Sequence, residues 1–587
     1  MLSRGTAGRI AGAAALIAVL TVASRLAGFG RLLVFNWAVG ADDLGDVYQL
    51  ANFLPNVIFE VVAGGAIASL VVPLLVQPAA RGDRGAVADA VSALLTWVLA
   101  LLVPVAVGVA LAAGPLVRLI APGASPAAVE VGTDMLRVFA PQLPLYGVGI
   151  VLAGVLQTYR RFAWPVIAPL LSSATVVLAY AGFALVTGRA SQIGQVSRGE
   201  VLILSAGTTA AVAVLSLSML IPLRGSGLRP RLRWRFAAAG TVRRLALAGT
   251  VTVGAQQLAV ALALALAYGG PTGSVVLYTL AQTIFLLPWA VLALPVATSA
   301  YPALAEAGAD GDEDAYRRTL APAVRALVLL CFLGVAALVT LAAPLAQILS
   351  AMTNGHPPPW VLAAGIAGFA PGLLGYGLFA LLSRALYARG AAGTAALATA
   401  LGWAGVAGCS VALAAALPAG QRVVALTLAN AVGMSVLGIA LLLAVARRAG
   451  RSALAGAGRA MLVGLVAATV ATAAGIGVRW LGWHTSPDWT WGFTPGAQTP
   501  GMADAVVSGM LCGGVVGVVY LAVAAALDRR DVRPMLAGAA RRLPGRRGEA
   551  RGGSADDRDD DQPGPAGDGP GGERGGPRPA QRRETVR

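Results

Sequence analysis

An apolar stretch near the N-terminus contains Ser24-Arg25-Leu26-Ala27-Gly28-Phe29-Gly30-Arg31. It puts two guanidinium groups where a charge is expensive and normally faces an interior cavity. Two arginines facing one aqueous cavity can hold a phosphate or pyrophosphate through forked, charge-assisted hydrogen bonds. On an ideal helix Arg25 and Arg31 lie about 240° apart. They share a face only if the helix bends, and Gly28 and Gly30 between them allow a bend. The alternative is structural: the arginines snorkel to the two interfaces or pair with acids. A second apolar stretch carries Asn52, Pro55, Asn56 and Glu60, with Gly64-Gly65 a turn later. Pro55 removes a backbone hydrogen bond and frees carbonyls, which suits a helix that lines a cavity. Asn52 and Asn56 are candidate substrate contacts beside the arginines. Glu60 either neutralises an arginine of the first stretch or takes up a proton. Asp42, Asp43 and Asp46 lie between the stretches, and solvated loop positions are the plainest reading of the first two.

Other chemistries find no residues to carry them. There is no paired-carboxylate, Ser/His/Asp or Cys/His arrangement in a plausible site and no phosphate-cradling Gly-rich loop, so the sequence reads as a non-enzyme that does not hydrolyse ATP. His356 and His484 fall in different expected loops, which leaves no histidine-based metal cluster. Cys331, Cys409 and Cys512 sit in apolar runs and read as small core residues, not as a disulfide framework. No cofactor is implied.

The elements that must position these residues are membrane helices. The chain has 587 residues, 57% hydrophobic and only 12% charged, against about 25% charged in soluble domains. Apolar runs near the ~20 residues needed to cross a bilayer recur along it. The net charge of +17 comes from arginine alone, and its placement reads as topology, not as nucleic-acid binding. Fourteen spans are expected, at roughly 10–37, 48–76, 88–113, 134–158, 162–187, 200–222, 242–268, 274–303, 320–349, 360–386, 392–417, 421–446, 458–481 and 504–527. Odd-to-even loops are arginine-poor, and Gly269–Gly273 and Ala351–Pro358 have none. Even-to-odd loops carry Arg160-Arg161, then Arg224, Arg229, Arg231, Arg233 and Arg235, then Arg447, Arg448 and Arg451. Positive residues stay in the cytoplasm, which puts both termini there in a multi-pass protein of the plasma membrane.

The first half repeats in the second. Phe139-Ala140-Pro141-x-Leu143-x-x-Tyr146-Gly147 recurs 230 residues later as Phe369-Ala370-Pro371-x-Leu373-x-x-Tyr376-Gly377. Leu50-Ala51-Asn52 recurs at the same offset as Leu280-Ala281-Gln282. An even number of spans per repeat makes the halves parallel, with a substrate path between them. The expected organisation is an N-lobe of spans 1–6 (1–235), a C-lobe of spans 7–12 (236–450), spans 13–14 (451–530) and a tail (531–587). In span 8, Pro288, Pro295 and Pro302 break the helix that corresponds to span 2. The loop Gly482–Met502 carries Trp483, Trp489 and Trp491, which favour the membrane interface. The tail is rich in Gly, Pro, Arg and Asp and cannot bury enough apolar surface to order itself. Its Arg530–Arg547 part can meet anionic lipid headgroups.

At these residues the chain resembles the MurJ/MviN family of lipid II flippases, which shares a superfamily with MATE exporters and polysaccharide flippases. The resemblance runs over roughly residues 10–530 and includes the fourteen-span count. It rests on Ser24-Arg25-x-x-Gly28-Phe29-x-Arg31, on Gly40 to Asp46, on Leu54-Pro55-Asn56 and Gly65-Ala66, on Phe162-Ala163-x-Pro165-x-x-Ala168-Pro169, and on Pro288 to Pro302. It implies V-shaped lobes around a cationic cavity and alternating access for an undecaprenyl-pyrophosphate-linked peptidoglycan precursor. Arg25 and Arg31 then bind the pyrophosphate. Asp46 and Glu60 tune or gate the cavity, and the proline-broken spans 2 and 8 flex. The partners implied are a lipid-linked anionic substrate, membrane lipids and cell-wall synthesis proteins reached through the tail. The chain departs from many members in carrying Phe59 and Glu60 in place of a basic pair, and Thr283 in place of an arginine. Spans 7, 11 and 12 offer Gln256, Gln257, Thr394 and Asn430 and no internal carboxylate for a sodium ion. The rival readings are a MATE-like cation-coupled exporter, with Glu60 as its buried acid, a flippase for another polyprenyl-linked glycan, and a membrane scaffold that works through the tail.

The arginine alternation predicts that cysteines placed at Ser191 and Ser486 react with an impermeant thiol reagent in intact cells, and that one at Ser226 reacts only after permeabilisation. Labelling at Ser226 in intact cells would overturn the topology.

Overall fold

The protein is described here by a computed structural model covering residues 20, 23–24, 26–61, 75, 81–159, 161, 163–224, 231–234, 239–482 and 501–529. All of them belong to one compact unit, Met1–Met535. Arg25, Gly64-Gly65, the tryptophan-rich loop and the tail lie outside the described residues. No strand occurs among the described residues. The first half is built from helices 26–38 (α1), Asp43–Phe59 (α2), Arg84–Leu111 (α3), Ala113–Ile120 (α4), Pro126–Phe139 (α5), Gln142–Thr158 (α6), Trp164–Thr187 (α7) and Arg198–Leu217 (α8). The second half contains Ala239–Tyr268 (α9), Ser274–Pro288 (α10), Leu294–Asp310 (α11), Glu313–Met352 (α12), Pro359–Phe369 (α13), Gly372–Ala388 (α14), Ala392–Ala416 (α15) and Arg422–Ala449 (α16). Ala457–Gly482 (α17) and Met502–Leu527 (α18) follow.

Among the described residues ten helices are long and apolar enough to cross a membrane, or eleven when the bent pair α13–α14 counts as one span. The expected spans 1 and 2 run into residues outside the described set, so the total of fourteen is not fixed by this count. The outer surface is apolar, with Leu178 and Leu185 73% and 83% exposed. An apolar exterior of this extent needs lipid around it.

Both copies of the Phe-Ala-Pro motif fall where one expected span is two helices. α5 gives way to α6 at Ala140-Pro141, and α13 to α14 at Ala370-Pro371, where the axis bends by 43°. The cause is local, because proline lacks the N–H that would continue the ladder and its ring crowds the preceding turn. The repeat therefore interrupts a helix at the same place in each half, and the second copy is bent there.

Hydrocarbon provides no hydrophobic drive between helices, so close backbone approach does the packing. A Cβ on Gly375 would lie 1.9 Å from the Met434 carbonyl oxygen, and one on Gly433 2.5 Å from the Val406 nitrogen. These glycines seat α16 between α14 and α15. α17 and α18 pack on α12, where the Tyr520 hydroxyl donates to the Leu329 carbonyl at 2.6 Å. At 40 residues α12 is about 60 Å long, twice the ~30 Å hydrocarbon thickness. Its N-terminal end carries Glu313, which pairs with Arg389 at 2.6 Å, and Arg389 also lies 4.9 Å over the Tyr316 ring.

Among the described residues the buried core is shared between the halves at one end. Phe35, Leu44 and Tyr48 of the first half share a cluster with Val276, Tyr278, Leu338 and Phe369 of the second. Toward the other end the halves keep separate clusters, one around Leu94, Leu102 and Val151 and another around Leu327, Leu381 and Leu441.

Gly375→Ala is expected to lower the melting temperature of the detergent-purified protein, because overpacking of a tight contact costs about 1–3 kcal/mol. Gly408→Ala, whose new Cβ meets nothing within 4 Å, should melt like the parent. Equal melting of the two variants would remove this account of the α14–α16 contact.

Candidate functional site

The end at which the core is shared is closed by short loops. They are the loops that the arginine count puts on one side: residues 39–42, 188–197, 269–273 and 353–358. Asp42 caps α2, accepting from the Asp43 amide at 2.9 Å and from the Ser191 hydroxyl at 3.1 Å. The Asp43 carboxylate accepts from the Ile193 amide at 2.9 Å. Both acids are half-buried, so solvation is only part of their setting: the 188–197 loop lies against the start of α2 and supplies donors that sequence distance hides. Arg189 donates through Nε to the Trp37 carbonyl at 2.9 Å and lies over the Trp37 ring.

Across the halves the closure is a seam of main chain. Ala41 N–H donates to the Asn354 carbonyl at 3.0 Å, and Asn354 N–H donates to the Asn36 carbonyl at 2.8 Å. The Asn354 side-chain amide donates to the Arg189 carbonyl. Gly40, Gly273 and Gly355 all have positive φ here. A Cβ on Gly40 would stand 2.3 Å from the Asn354 carbonyl oxygen, and one on Gly273 2.4 Å from that of Ala41.

Asp46 sits at the centre of the seam and is 3% exposed. Its carboxylate accepts from Gly273 N–H at 2.8 Å and from Val276 N–H at 3.1 Å. Those are donors at the N-terminus of α10, whose own N-cap residue, Gly273, offers no side chain. A helix N-terminus leaves amide donors unpaired and favours negative charge. One half thus caps a helix of the other. Asp46 and Val276 are 230 residues apart, the repeat offset, so Asp46 bonds to its own counterpart and lies close to the axis relating the halves.

Beneath the seam the repeat reappears as ring pairs. Tyr48 meets Phe139 with centroids 5.7 Å apart, and Tyr278 meets Phe369 at 5.5 Å. Phe59 packs on Tyr146 at 4.4 Å, and Trp289 on Tyr376 at 5.0 Å. Each helix also loosens into a π-type turn at the matching place, residues 60–61 and Trp289–Ala293. In the second half Pro295, which cannot donate to the preceding turn, accounts for it. Sequence reading missed these pairs, although the same offset applied to Phe59 and Trp289 would have found one.

The expected site residues distribute around these rings. Arg31 is exposed, and its charge lies within electrostatic range of Tyr146 and Tyr180. Glu60 is also exposed and lies within range of Tyr146 and of Tyr376 from the other half. Neither Arg31 nor Glu60 forms an ion pair among the described residues. Gly28 and Gly30 lie in α1, which runs helical through both, and an added Cβ at either meets nothing within 4 Å. Pro55 is buried within α2, and the half-buried Asn56 donates its side-chain amide to the Asn52 carbonyl at 2.7 Å. The Thr283 hydroxyl bonds back to its own helix, on the Thr279 carbonyl at 2.9 Å.

Residues 35–496 match the family described as lipid II flippase MurJ. The chain belongs to that family. It is 26% identical over 378 residues to the lipid II flippase MurJ of Burkholderia cenocepacia, covering 63% of this chain and 71% of that protein. It is 30% identical over 240 residues to a probable lipid II flippase MurJ of Synechocystis sp., covering 39% of this chain and 43% of that protein. Its fold is similar to that of a lipid II flippase MurJ in an inward closed conformation, with a TM-score of 0.67 and 16% identity over 89% of this chain and 99% of the other. An inward-facing MATE multidrug transporter of the MOP superfamily is also similar, with a TM-score of 0.61 and 16% identity over 74% and 98%. Among the described residues the seam closes one end of the bundle.

Gly273→Val should pry the seam open, since a β-branched residue at φ +87 and 2.4 Å from a carbonyl cannot be accommodated. A cysteine at Val276, 1% exposed in the closed seam, should then react with an impermeant thiol reagent faster by about tenfold or more. Gly182→Val, in open space, should leave the rate unchanged. Unchanged labelling in the Gly273→Val background would show that the seam does not gate access.

Proposed function

We propose that this chain moves an undecaprenyl-pyrophosphate-linked peptidoglycan precursor, lipid II, from the inner to the outer leaflet of the plasma membrane by alternating access. The observation that carries this reading is the closure of the two halves on each other at the seam. Main-chain bonds and Asp46 join the halves at one end, while Arg31 and Glu60 stand beyond the rings without ion pairs among the described residues. On this reading residues 1–235 and 236–450 are the moving lobes, 451–530 pack beside the second, and 531–587 form a cytoplasmic tail. The arginine-rich loops and both termini face the cytoplasm, so the seam is the outer gate. The tail offers a site for cell-wall synthesis proteins.

In this scheme Arg25 and Arg31 hold the pyrophosphate through forked hydrogen bonds that a point charge does not reproduce. Asn52 and Asn56 line the path next to them. Glu60 keeps the cavity from holding the anion too tightly, and the π-type turns beside Pro55 and Pro295 let the helices flex. Asp46 gates: it favours the closed seam as long as the α10 N-terminus is within reach. Transport on this reading makes and breaks no covalent bond.

The test is complementation of a strain depleted of its own lipid II flippase. The parent chain should restore growth, and Arg31→Ala should abolish rescue at normal membrane levels. A charge-assisted hydrogen bond contributes roughly 1.5–3 kcal/mol, so its loss weakens binding about tenfold or more. Arg31→Lys should rescue in part. Full rescue by both Arg31→Ala and Arg25→Ala would remove the headgroup site from the first helix.

A further inference from the structure

The second half contains a polar cavity that the transport scheme does not use. It has a volume of about 210 Å³ and lies among α9, α10, α14, α15 and α16. Gln256, Gln257, Gln282, Trp403 and Asn430 supply its polar lining. Phe285 and Tyr376 add aromatic walls. Trp403 and Asn430 are each 4% exposed, yet the Trp403 indole N–H and the Asn430 side-chain oxygen have no hydrogen-bond partner. None of the three glutamines makes a hydrogen bond among the described residues. Buried amides without partners are destabilising. Two partnerless buried polar atoms on one cavity wall, Trp403 Nε1 and Asn430 Oδ1, beside three half-buried glutamines are poorly explained by folding alone and point to an occupant.

The lining selects the kind of occupant. It holds no carboxylate and no arginine, so neither a cation nor an anion meets a counter-charge. A cation would also leave the Trp403 donor unsatisfied. Amides donate and accept together, which suits hydroxyl and acetamido groups. Aromatic faces beside a few directed polar groups are the usual make-up of a small-molecule site. A water takes ~30 Å³ in the liquid, so the space amounts to about seven waters, or one sugar ring in their place.

The repeat supplies an independent argument. At the 230-residue offset Gln256 and Gln257 correspond to Leu26 and Ala27, whereas Arg25 and Arg31 correspond to Ala255 and Ala261. One copy of this helix carries the cations and the other carries the amides. If the shared fold required either set, both copies would have it. Tyr376 belongs to the cavity wall and also lies in the electrostatic field of Glu60, so the cavity adjoins the region that holds the charged groups.

We infer that this cavity is a binding subsite for an uncharged pyranose ring bearing hydroxyl and acetamido groups. The inference rests on the flippase reading for its setting, in which the ring is part of the glycan of the lipid-linked substrate. The anionic end lies toward Arg31 in the first half, and the sugar is held by Gln256, Gln257, Gln282 and Asn430 in the second.

The test uses the full-length protein in phospholipid nanodiscs, with the methyl β-glycoside of N-acetylglucosamine as probe, read by saturation-transfer NMR. The probe should bind the parent chain and Arg31→Ala alike. Gln257→Leu and Asn430→Leu should each weaken it about tenfold, the effect of one lost hydrogen-bonding group. Radiolabelled pyrophosphate should show the converse, lost with Arg31→Ala and kept with Asn430→Leu. Gln257 is half-buried, so its variant tests the site even if Asn430→Leu fails to fold. Sugar binding unchanged in folded Gln257→Leu overturns the inference. So does the absence of a sugar signal, whether no probe binds or a sodium titration alone perturbs the cavity. Complementation separates this inference from the flippase reading. A parent chain that rescues growth, with sugar binding indifferent to Gln257→Leu, sinks the subsite alone. A parent chain that fails to rescue, with sugar binding lost in Gln257→Leu, leaves the subsite standing and sinks the flippase.

Discussion

The arrangement of the two halves depends on one carboxylate. Asp46 reaches from the start of α2 to the amides of Gly273 and Val276, and so caps a helix that has no cap of its own. Buried charge is tolerated only when its lone pairs are occupied by donors. Here the donors belong to the other half. The carboxylate is therefore comfortable in two situations: bonded to α10, or hydrated after the halves part. Intermediate separations leave both the acid and the helix end unsatisfied. Such an interaction favours two discrete states over a continuum, which is what a gate requires.

Symmetry then distributes the remaining work. The helix breaks at Ala140-Pro141 and Ala370-Pro371, the ring pairs at Tyr146 and Tyr376, and the π-type turns after Phe59 and at Trp289 are duplicated. Duplicated features build the frame and give the halves equivalent places at which to bend. Asn52 and Gln282 are an amide pair at the repeat offset, but the first helix of each half differs, with Arg25 and Arg31 in one copy and Gln256 and Gln257 in the other. That division lets one scaffold present two chemically different walls to a ligand between them.

Much of this frame was legible from the chain. The offset of 230 residues came from two short words, and it recurs in space as the Asp46–Val276 bond and as matching ring contacts in the two halves. Alternation of arginine along the loops grouped four connections on one side, and those connections do meet. Asp42 and Asp43 were read only in part because their donors, Ser191 and Ile193, lie some 150 positions away in the chain. Periodicity reports which face of a helix is apolar; it does not report which loop will lie beside which. Glu60 was expected to pair with an arginine or take up a proton, and it has no ion pair among the described residues. A helical wheel fixes direction around an axis but not distance to another helix. The neutral cavity was visible only as scattered glutamines, because its five walls come from five separate helices.

Every hydrogen bond described across the seam has main chain on at least one side, and the backbones come together through Gly40, Gly273 and Gly355. Side chains that lock on closure lose rotamer freedom at a cost of about 0.5–1.5 kcal/mol each. Glycine backbones have no rotamers to lose, and of the side chains bonded across the seam only those of Asp46 and Asn354 are held. Forming and breaking those hydrogen bonds therefore orders few side chains, and the larger share of what holds the closed end lies in the apolar cluster that Phe35, Leu44 and Tyr48 form with Val276 and Tyr278 beside them.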